Sequence, residues 1–167
     1  LLPIDQVPDY RLRIAYGDHE VTIDDPYRWL PTVGEMDRHL FSEGRHERIW
    51  TVLGAHERIY PTPQGDVSGI SFAVWAPNAR GVRVIGDHNH WDGRIHPMRS
   101  LGASGIWELF IPGVPVGSRY KFAILGADSQ WHEHADPYAQ RTEVPPATAS
   151  VTWRSTFAWS DSAWLEQ

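Results

Sequence analysis

The chain has 167 residues, of which 41% are hydrophobic and 22% are charged, as is typical of globular proteins rather than of disordered ones. A formal net charge of −6 argues against a general nucleic-acid-binding protein, which needs Lys and Arg to neutralise phosphates. There is no cysteine, so disulfides and thiolate metal sites are excluded, and no apolar run is long enough to cross a membrane.

The first predicted element is a hairpin that begins at Tyr10 and returns to Asp25. The same pattern recurs between Tyr120 and Asp136, and each Asp is followed by Pro and Tyr. The second copy is preceded by several predicted strands, whereas the first copy is not. Because two strands alone cannot bury their faces, we predict that residues 1–33 are the C-terminal remnant of a first sandwich module.

Residues 34–56 are predicted to form a linker with one short helix. Over residues 43–53 the apolar side chains recur at helical spacing, and they include that of Trp50. Ser42 is the expected N-cap of this helix, and Gly54 is the expected residue just after its end.

Residues 57–154 carry the pattern of an all-β domain. Gly, Pro, Asn and Asp separate short β-rich runs, which predicts strands at residues 70–76, 81–85, 106–111, 119–125, 130–133 and 149–154. Strands spaced about ten residues apart, with no long helix between them, indicate an antiparallel β-sandwich. Residues 155–167 have the appearance of a linker toward a further domain, and the chain begins at Leu1 without Met. We therefore expect a fragment of a larger protein.

Several spaced motifs in this region resemble the family 48 carbohydrate-binding modules. They are Ser-Phe-Ala-Val-Trp-Ala-Pro-Asn-Ala at 71–79, Val-Arg-Val-Ile-Gly-Asp at 82–87, Trp-Asp-Gly at 91–93, Gly-Ile-Trp-Glu-Leu-Phe-Ile-Pro-Gly at 105–113 and Tyr-Lys-Phe at 120–122. The resemblance implies an immunoglobulin-like β-sandwich. The family usually has Phe at the position of His88, so the chain departs from the pattern there.

Further motifs extend the resemblance to bacterial, in particular actinobacterial, 1,4-α-glucan branching enzymes. They are Asp-Pro-Tyr-Arg-Trp-Leu-Pro at 25–31, Gly-Arg-His-Glu at 44–47, Leu-Gly-Ala-His at 53–56 and Glu-Val-Pro-Pro-Ala-Thr-Ala-Ser at 143–150. The resemblance implies two N-terminal modules before a catalytic barrel, with α-1,4-glucan or glycogen as ligand, a cytoplasmic location and no cofactor. Two alternatives remain open: a structural module that docks on the barrel, or the same module from another enzyme of the α-amylase clan, such as a debranching enzyme or a trehalose-releasing hydrolase.

Three residues are the candidate sugar-binding site. Trp91 lies in a turn-rich loop and Trp131 lies between polar neighbours, so both indoles are expected to be exposed and able to stack on apolar sugar faces. The resemblance adds Lys121, the only lysine of the chain, and implies the same role for the two tryptophans. The alternative for either Trp is packing against a neighbouring domain.

The remaining polar and aromatic candidates are assigned structural roles. Asp87 and Asn89 are expected to hold their turn, and Trp75 and Trp107 are expected to pack in or beside the core. Trp159 and Trp164 are expected to anchor the chain to a further domain. Two His-x-His pairs, at 88/90 and 132/134, are compatible with a metal, but the resemblance implies none. Since no barrel motif is present, we expect no catalytic residue here.

Overall fold

A computed structural model describes residues 9–157, which form an antiparallel β-sandwich with one α-helix. The all-β prediction is therefore confirmed. The strands are β1 Leu12–Tyr16, β2 His19–Ile23, β3 Gly54–Tyr60, β4 Val67–Trp75, β5 Gly81–Gly86, β6 Arg99–Ser100, β7 Ile106–Pro112, β8 Arg119–Leu125, β9 Trp131–His134 and β10 Ser150–Val151, and the helix is α1 Glu35–Ser42. No helix among the described residues is long and apolar enough to span a bilayer.

Two four-stranded sheets face each other in the sandwich. The first has the order β3-β4-β7-β6, and the second has the order β10-β8-β5 with β9 also paired to β8. All of these pairings are antiparallel. Strands β5, β7 and β8 agree within one residue with their predicted bounds, because alternating apolar residues and flanking turn residues are local signals.

The core lies between the two sheets. Phe72 and Leu109 of the first sheet meet Val84 and Phe122 of the second, and all four side chains have 0% exposure. Each such side chain contributes roughly 1.5–3 kcal/mol by leaving water. This core holds the second sheet in place. Lys121 and Trp131 lie on that sheet, and Trp91 lies in the loop that follows its strand β5.

Strand β7 is buried on both faces, although the alternation of Trp107, Leu109 and Ile111 in its sequence predicts a single apolar face. Leu109 and Ile111 face the core, as expected, and Trp107 packs beside them. The opposite face is covered by the upstream segment 27–33, which crosses the sheet. There the ring of Trp29 stacks on that of Tyr60 at 4.6 Å and meets that of Phe110 edge-on at 5.4 Å.

A buried ion pair fastens that segment to the sheet. Glu108, which has 0% exposure, accepts a hydrogen bond from Arg99 at 3.0 Å. Its other carboxylate oxygen accepts from the backbone N–H of Thr32 at 3.3 Å and from the Thr32 hydroxyl at 3.1 Å. Arg99 also donates to the carbonyl of Trp29 at 2.6 Å. The upstream segment is therefore part of the packed structure, and β3 begins at Gly54, three residues before the predicted boundary at 57.

The helix predicted over residues 43–53 is wrong in position. The helix α1 ends at Ser42, and Gly44 adopts a left-handed φ of 68°. The N–H of Gly44 donates to the carbonyl of Phe41 at 3.0 Å and that of Arg45 to the carbonyl of Leu40 at 2.9 Å. These two bonds form a Schellman motif, which ends the helix where the apolar spacing predicted its start.

The repeated hairpins share one set of hydrogen bonds. Strands β1 and β2 pair with each other alone, as a two-stranded sheet. Tyr10 donates its hydroxyl proton to Asp25 at 2.6 Å, and Tyr120 does the same to Asp136 at 2.5 Å. Each Asp also accepts from the backbone N–H two residues later, at 2.9 Å and 2.8 Å. The repeated sequence pattern thus corresponds to a repeated local structure.

Two tryptophan predictions are wrong. Trp75 is 53% exposed because it stands on the outer side of β4, and Trp50 is 54% exposed because residues 49–51 form only a 3-10 turn. Trp107 is half-buried, as predicted, and its indole N–H donates to the carbonyl of Ala76 at 3.1 Å. Trp159 and Trp164 lie outside the described residues.

Candidate functional site

The outward side chains of β5, β8 and β9 form one continuous surface, here called the platform face. The register opposes Ile85 to Lys121 and places Leu125 between Gly81 and Trp131 in the row at the other end. Because side chains alternate between the two sides of a strand, Lys121 and Trp131 share this face. Four residues of β8 separate their rows, which corresponds to about 13 Å along the strand.

The ring of Trp131 lies across the platform face. It is 39% exposed, and it reaches from β9 past Leu125 to Gly81 on β5. A Cβ placed on Gly81 would lie 3.4 Å from Cη2 of Trp131 and 3.8 Å from Cβ of Leu125. The missing side chain at Gly81 and the support of Leu125 therefore leave room for a broad exposed indole.

Arg83 is a residue of this face that the sequence analysis did not single out. Its guanidinium carbon lies 4.0 Å from the centroid of the Trp131 ring, which is a cation–π contact. The sequence did contain a signal for Arg83. It is an arginine that faces outward from a strand, directly before the buried residues Val84 and Ile85. A local pattern does not show which ring on another strand such an arginine meets.

Lys121 is held on the same face by a carboxylate. Its Nζ lies 3.6 Å from Oε2 of Glu133, and its side chain is 20% exposed whereas that of Glu133 is 57% exposed. The partial burial of the stem on β8 leaves the ammonium group at the surface beside an acceptor. The charge is thus partly compensated and its position is restrained.

Trp91 is presented by a tight loop between β5 and β6. His90 and Trp91 both adopt left-handed backbone conformations, with φ of 53° and 63°. The backbone N–H of Trp91 donates to the carbonyl of Gly86 at 2.9 Å. The side chain of Trp91 is 38% exposed, so the predicted exposure of this indole is confirmed.

Asn89 and Asp87 build this loop. Asn89 is buried, accepts from the N–H of Gly86 at 2.9 Å and donates to the carbonyl of Val84 at 2.9 Å. The predicted turn role is therefore confirmed for Asn89. Asp87 instead binds Arg119 of β8, with contacts of 2.9 Å to its backbone N–H and to its guanidinium. These bonds hold the pKa of the Asp87 carboxyl below its ordinary value, and the Trp91 side chain adds a smaller effect in the same direction.

The loop packs directly on the platform face. A Cβ placed on Gly93 would lie 2.8 Å from both Cβ of Arg83 and Cγ2 of Ile85. Only glycine fits at such a close approach. The structure therefore places the loop that carries Trp91 against the border of the surface that Lys121 and Trp131 share.

A histidine supports the loop from below. The ring of His88 stacks on Phe72 at 5.7 Å and lies 5.3 Å from the ring of His96. Both ring nitrogens of His88 are buried and make no hydrogen bond within residues 9–157. Burial, with a smaller effect from His96, lowers the pKa of His88 to about 4. This ring occupies the place where the resembled family has Phe, and it is neutral near pH 7.

The charged and histidine side chains around the site are largely engaged with one another. Within residues 9–157 no three His, Cys, Asp or Glu side chains are grouped so as to hold a metal ion. His132 contacts Asp128 at 2.8 Å, and Asp92 is bound by Arg94, while Glu108 is sealed under residues 27–33. The exposed aromatic rings and the ammonium group therefore define the chemistry of the platform face.

A second aromatic surface lies on the opposite side of the sandwich. A cleft of about 700 Å³ separates α1 from the end of the first sheet, and it is lined by Phe41, Trp75, Pro77 and Tyr138 among others. The rings of Phe41 and Trp75 meet edge-on at 5.7 Å. Among the described residues the lining contains no charged side chain.

Comparisons with known proteins identify the family of this chain and several relatives. A sequence model of carbohydrate-binding module 48 (isoamylase N-terminal domain) matches residues 52–139. Proteins named 1,4-alpha-glucan branching enzyme GlgB are 62% identical in Frankia casuarinae over 96% of this chain and 61% identical in Thermobifida fusca over 100% of it. The chain spans 20% and 22% of the length of these two relatives. Among solved structures, type I pullulanase from Bacillus subtilis in complex with maltose has 29% identity and a TM-score of 0.48, covering 65% of this chain and 14% of that one.

Proposed function

The chain belongs to the carbohydrate-binding module 48 family, and we propose that it binds α-1,4-glucan on the platform face through Trp91, Lys121 and Trp131. The observation that carries this proposal is that two exposed indoles and one restrained ammonium group lie on or beside one sheet face. Sugars present apolar C–H faces rimmed by hydroxyls, which suit exposed aromatic rings and a few polar donors.

The binding is expected to be weak for a single short glucan. The site is an open surface, so we expect a Kd on the order of millimolar, which corresponds to about −4 kcal/mol. On a polymer such as glycogen, repeated rebinding along neighbouring chains raises the apparent affinity without any new contact. The role that fits this affinity is to hold or orient a polymer.

We further propose that the parent protein is a 1,4-α-glucan branching enzyme, which forms the α-1,6 branches of glycogen in the cytoplasm. The support is that relatives named 1,4-alpha-glucan branching enzyme GlgB are 55–62% identical to this chain. The motifs upstream of residue 57 add to this support. In this proposal the catalytic barrel lies outside these residues, and residues 155–167 lead toward it. Residues 1–33 are then the end of a preceding module. The support is that Tyr10 bonds Asp25 in the first hairpin in the same way as Tyr120 bonds Asp136 in the second.

The test is an NMR titration with maltoheptaose that follows the indole N–H signals. Saturable shifts are expected for Trp91 and Trp131, and Trp131→Ala is expected to weaken binding at least tenfold. Trp50→Ala removes a more exposed indole, at 54%, away from the platform face and is expected to leave binding unchanged. If no indole shifts at high sugar concentration, the proposal of glucan binding is wrong.

A second candidate function is structural, and the cleft beside Trp75 favours it. An uncharged aromatic cleft with a 53% exposed indole has the composition of the centre of a protein interface. In this alternative the module supports the catalytic barrel and has little affinity for sugar. The two candidates are separated by the same titration, since only the first requires shifts at Trp91 and Trp131.

A further inference from the structure

Arg83 touches both parts of the candidate site. We propose that Arg83 is a fourth sugar-binding residue, which joins the Trp91 loop to the Trp131 ring and donates hydrogen bonds to glucan hydroxyls between the two indoles. This inference rests on the proposed function and adds to it a polar contact and a coupling between the two rings.

The first step concerns the reach of the side chain toward Trp131. Strands β5 and β9 both neighbour β8, so they lie about 10 Å apart. In the row of Arg83 the residue on β8 is Ala123, whose methyl group leaves space above the sheet. A long side chain can cross this gap, and the guanidinium of Arg83 does so to contact the Trp131 ring at 4.0 Å. A short residue at position 83 could not make this contact.

The second step concerns the stem of the side chain, which the Trp91 loop holds. Cβ and Cδ of Arg83 lie only 2.8 Å and 3.2 Å from the position that a Cβ of Gly93 would take. The backbone of Arg83 also forms an antiparallel bridge with Pro97, on the far side of the same loop. A movement of the loop would therefore shift Arg83, and through it the ring of Trp131.

The third step concerns the hydrogen-bonding capacity of the guanidinium. Within residues 9–157 the side chain of Arg83 makes no hydrogen bond and no ion pair besides its contact with the Trp131 ring, although the residue is half-buried. Most other arginines near the platform face are engaged, for example Arg94 with Asp92 and Arg119 with Asp87. A guanidinium presents five N–H donors, and hydroxyl groups of a glucan that lies along the indoles are suitable acceptors.

The geometry also predicts whether the removal of Arg83 weakens or strengthens sugar binding. Since Arg83 restrains Trp131 and offers donors beside it, its removal should weaken sugar binding. The alternative is that the guanidinium competes with sugar for the indole, in which case its removal should strengthen binding. The 39% of the Trp131 side chain that is exposed with Arg83 in place favours the first outcome, because an open surface of the ring remains.

The experiment is the maltoheptaose titration applied to Arg83→Ala, Arg83→Lys and Arg13→Ala. Arg83→Ala is expected to weaken binding about fivefold and to shift the indole signals of both Trp91 and Trp131 before sugar is added. Arg83→Lys keeps the charge and most of the length, so it should recover part of the affinity. Arg13→Ala removes a 74% exposed arginine from strand β1, and it should behave as the unchanged chain does. The indole signal of Trp107, bound to the carbonyl of Ala76, reports that the fold is intact.

A double variant tests how much of the effect of Arg83 on sugar binding depends on the Trp131 ring. In the Trp131→Ala background, Arg83→Ala is expected to weaken binding by about twofold, less than its effect in the unchanged chain, because the hydrogen bonds to sugar are lost whereas the contact with the Trp131 ring is already absent. If the unchanged chain binds maltoheptaose and Arg83→Ala binds equally well or better, the inference about Arg83 is overturned while the glucan-binding function stands. If the unchanged chain does not bind, the proposed function fails, and the inference falls with it.

Discussion

Tyr120 donates its hydroxyl proton to Asp136 at 2.5 Å, and both groups are buried at the junction of β8 and the segment after β9. The same carboxylate accepts from the backbone N–H of Tyr138 at 2.8 Å, and the N–H of Asp136 donates to the hydroxyl of Ser150 at 2.8 Å. This network ties the end of the second hairpin to β10.

Tyr120→Phe is expected to lower the free energy of unfolding by about 1–3 kcal/mol, because the buried Asp136 loses a hydrogen-bond donor. Tyr10→Phe removes the corresponding bond of the first hairpin, which is only partly buried, and should cost about 0.5–1 kcal/mol. Urea denaturation measures both losses in the free energy of unfolding. The dependence of this free energy on urea concentration should be the same in all variants. Tyr16→Phe, at a 66% exposed position, is the control. Equal losses for Tyr10→Phe and Tyr120→Phe would contradict the argument from burial.

His88→Phe is expected to stabilise the fold and to reduce the dependence of stability on pH. Burial holds the pKa of His88 at about 4, below its ordinary value of 6.5, so the unfolded chain binds the proton first. Stability is therefore complete above pH 6.5 and falls as the pH decreases from 6.5 toward 4. Phe removes this loss and also removes two buried nitrogens that lack partners among the described residues, which should add about 1–2 kcal/mol at pH 7.

Thermal unfolding measured between pH 7 and pH 4 tests this prediction. His96 keeps its own lowered pKa, which burial causes, so part of the pH dependence should remain. His19→Phe, at an exposed histidine of β2, is the matched control for replacing a histidine by phenylalanine. A His88→Phe variant with the same slope as the unchanged chain would exclude the proposed role of His88.

Glu108→Ala is expected to cost about 3 kcal/mol, because it leaves Arg99 without its buried partner and releases Thr32. Denaturant unfolding measures the loss, and faster hydrogen exchange at residues 29–33 should accompany it. Glu20→Ala breaks an exposed pair with Arg13 at 3.6 Å and should change stability by no more than about 0.5 kcal/mol. A loss below about 1 kcal/mol for Glu108→Ala would show that this pair does not hold the upstream segment.

Two substitutions, Gly81→Ala and Gly81→Leu, test whether sugar binding needs the space at position 81. They differ in how far they displace the Trp131 ring. A methyl group at Gly81 would meet Trp131 at 3.4 Å, which is ordinary contact, so Gly81→Ala should retain sugar affinity within twofold. It should also stabilise the strand by about 0.5 kcal/mol. Gly81→Leu must displace the indole and should weaken maltoheptaose binding at least fivefold. Equal affinities for the two variants would rule out the proposed placement of the ring.

Strands and turns were predictable because their signals are local. The alternation along β7 and the Pro and Gly residues around it mark the strand without knowledge of its neighbours. The exposure of Trp91 and Trp131 followed from the turn residues and polar residues beside them. Both features depend on residues within a few positions of each other.

The predictions that failed depended on packing between distant segments. The sequence places Glu108 in a strand, but nothing near it in the sequence indicates that Thr32 and Arg99 bind its carboxylate and bury it. Apolar residues at 49, 50 and 53 have helical spacing, but the chain there forms only a turn before β3, and Trp50 remains exposed. The contact of Arg83 with Trp131 is set by the register of three strands, which no local pattern specifies.

Lys121 is the only lysine among the 167 residues, so the chain carries one side-chain amine, and that amine lies on the platform face. Reagents that acylate amines can thus modify only Lys121 and the N-terminal amino group. Attachment to an amine-coupled sensor chip would turn the platform face of many molecules toward the matrix and would hide their ability to bind glucan. Acylation also removes the positive charge of Lys121, so it should weaken glucan binding even for molecules in free solution.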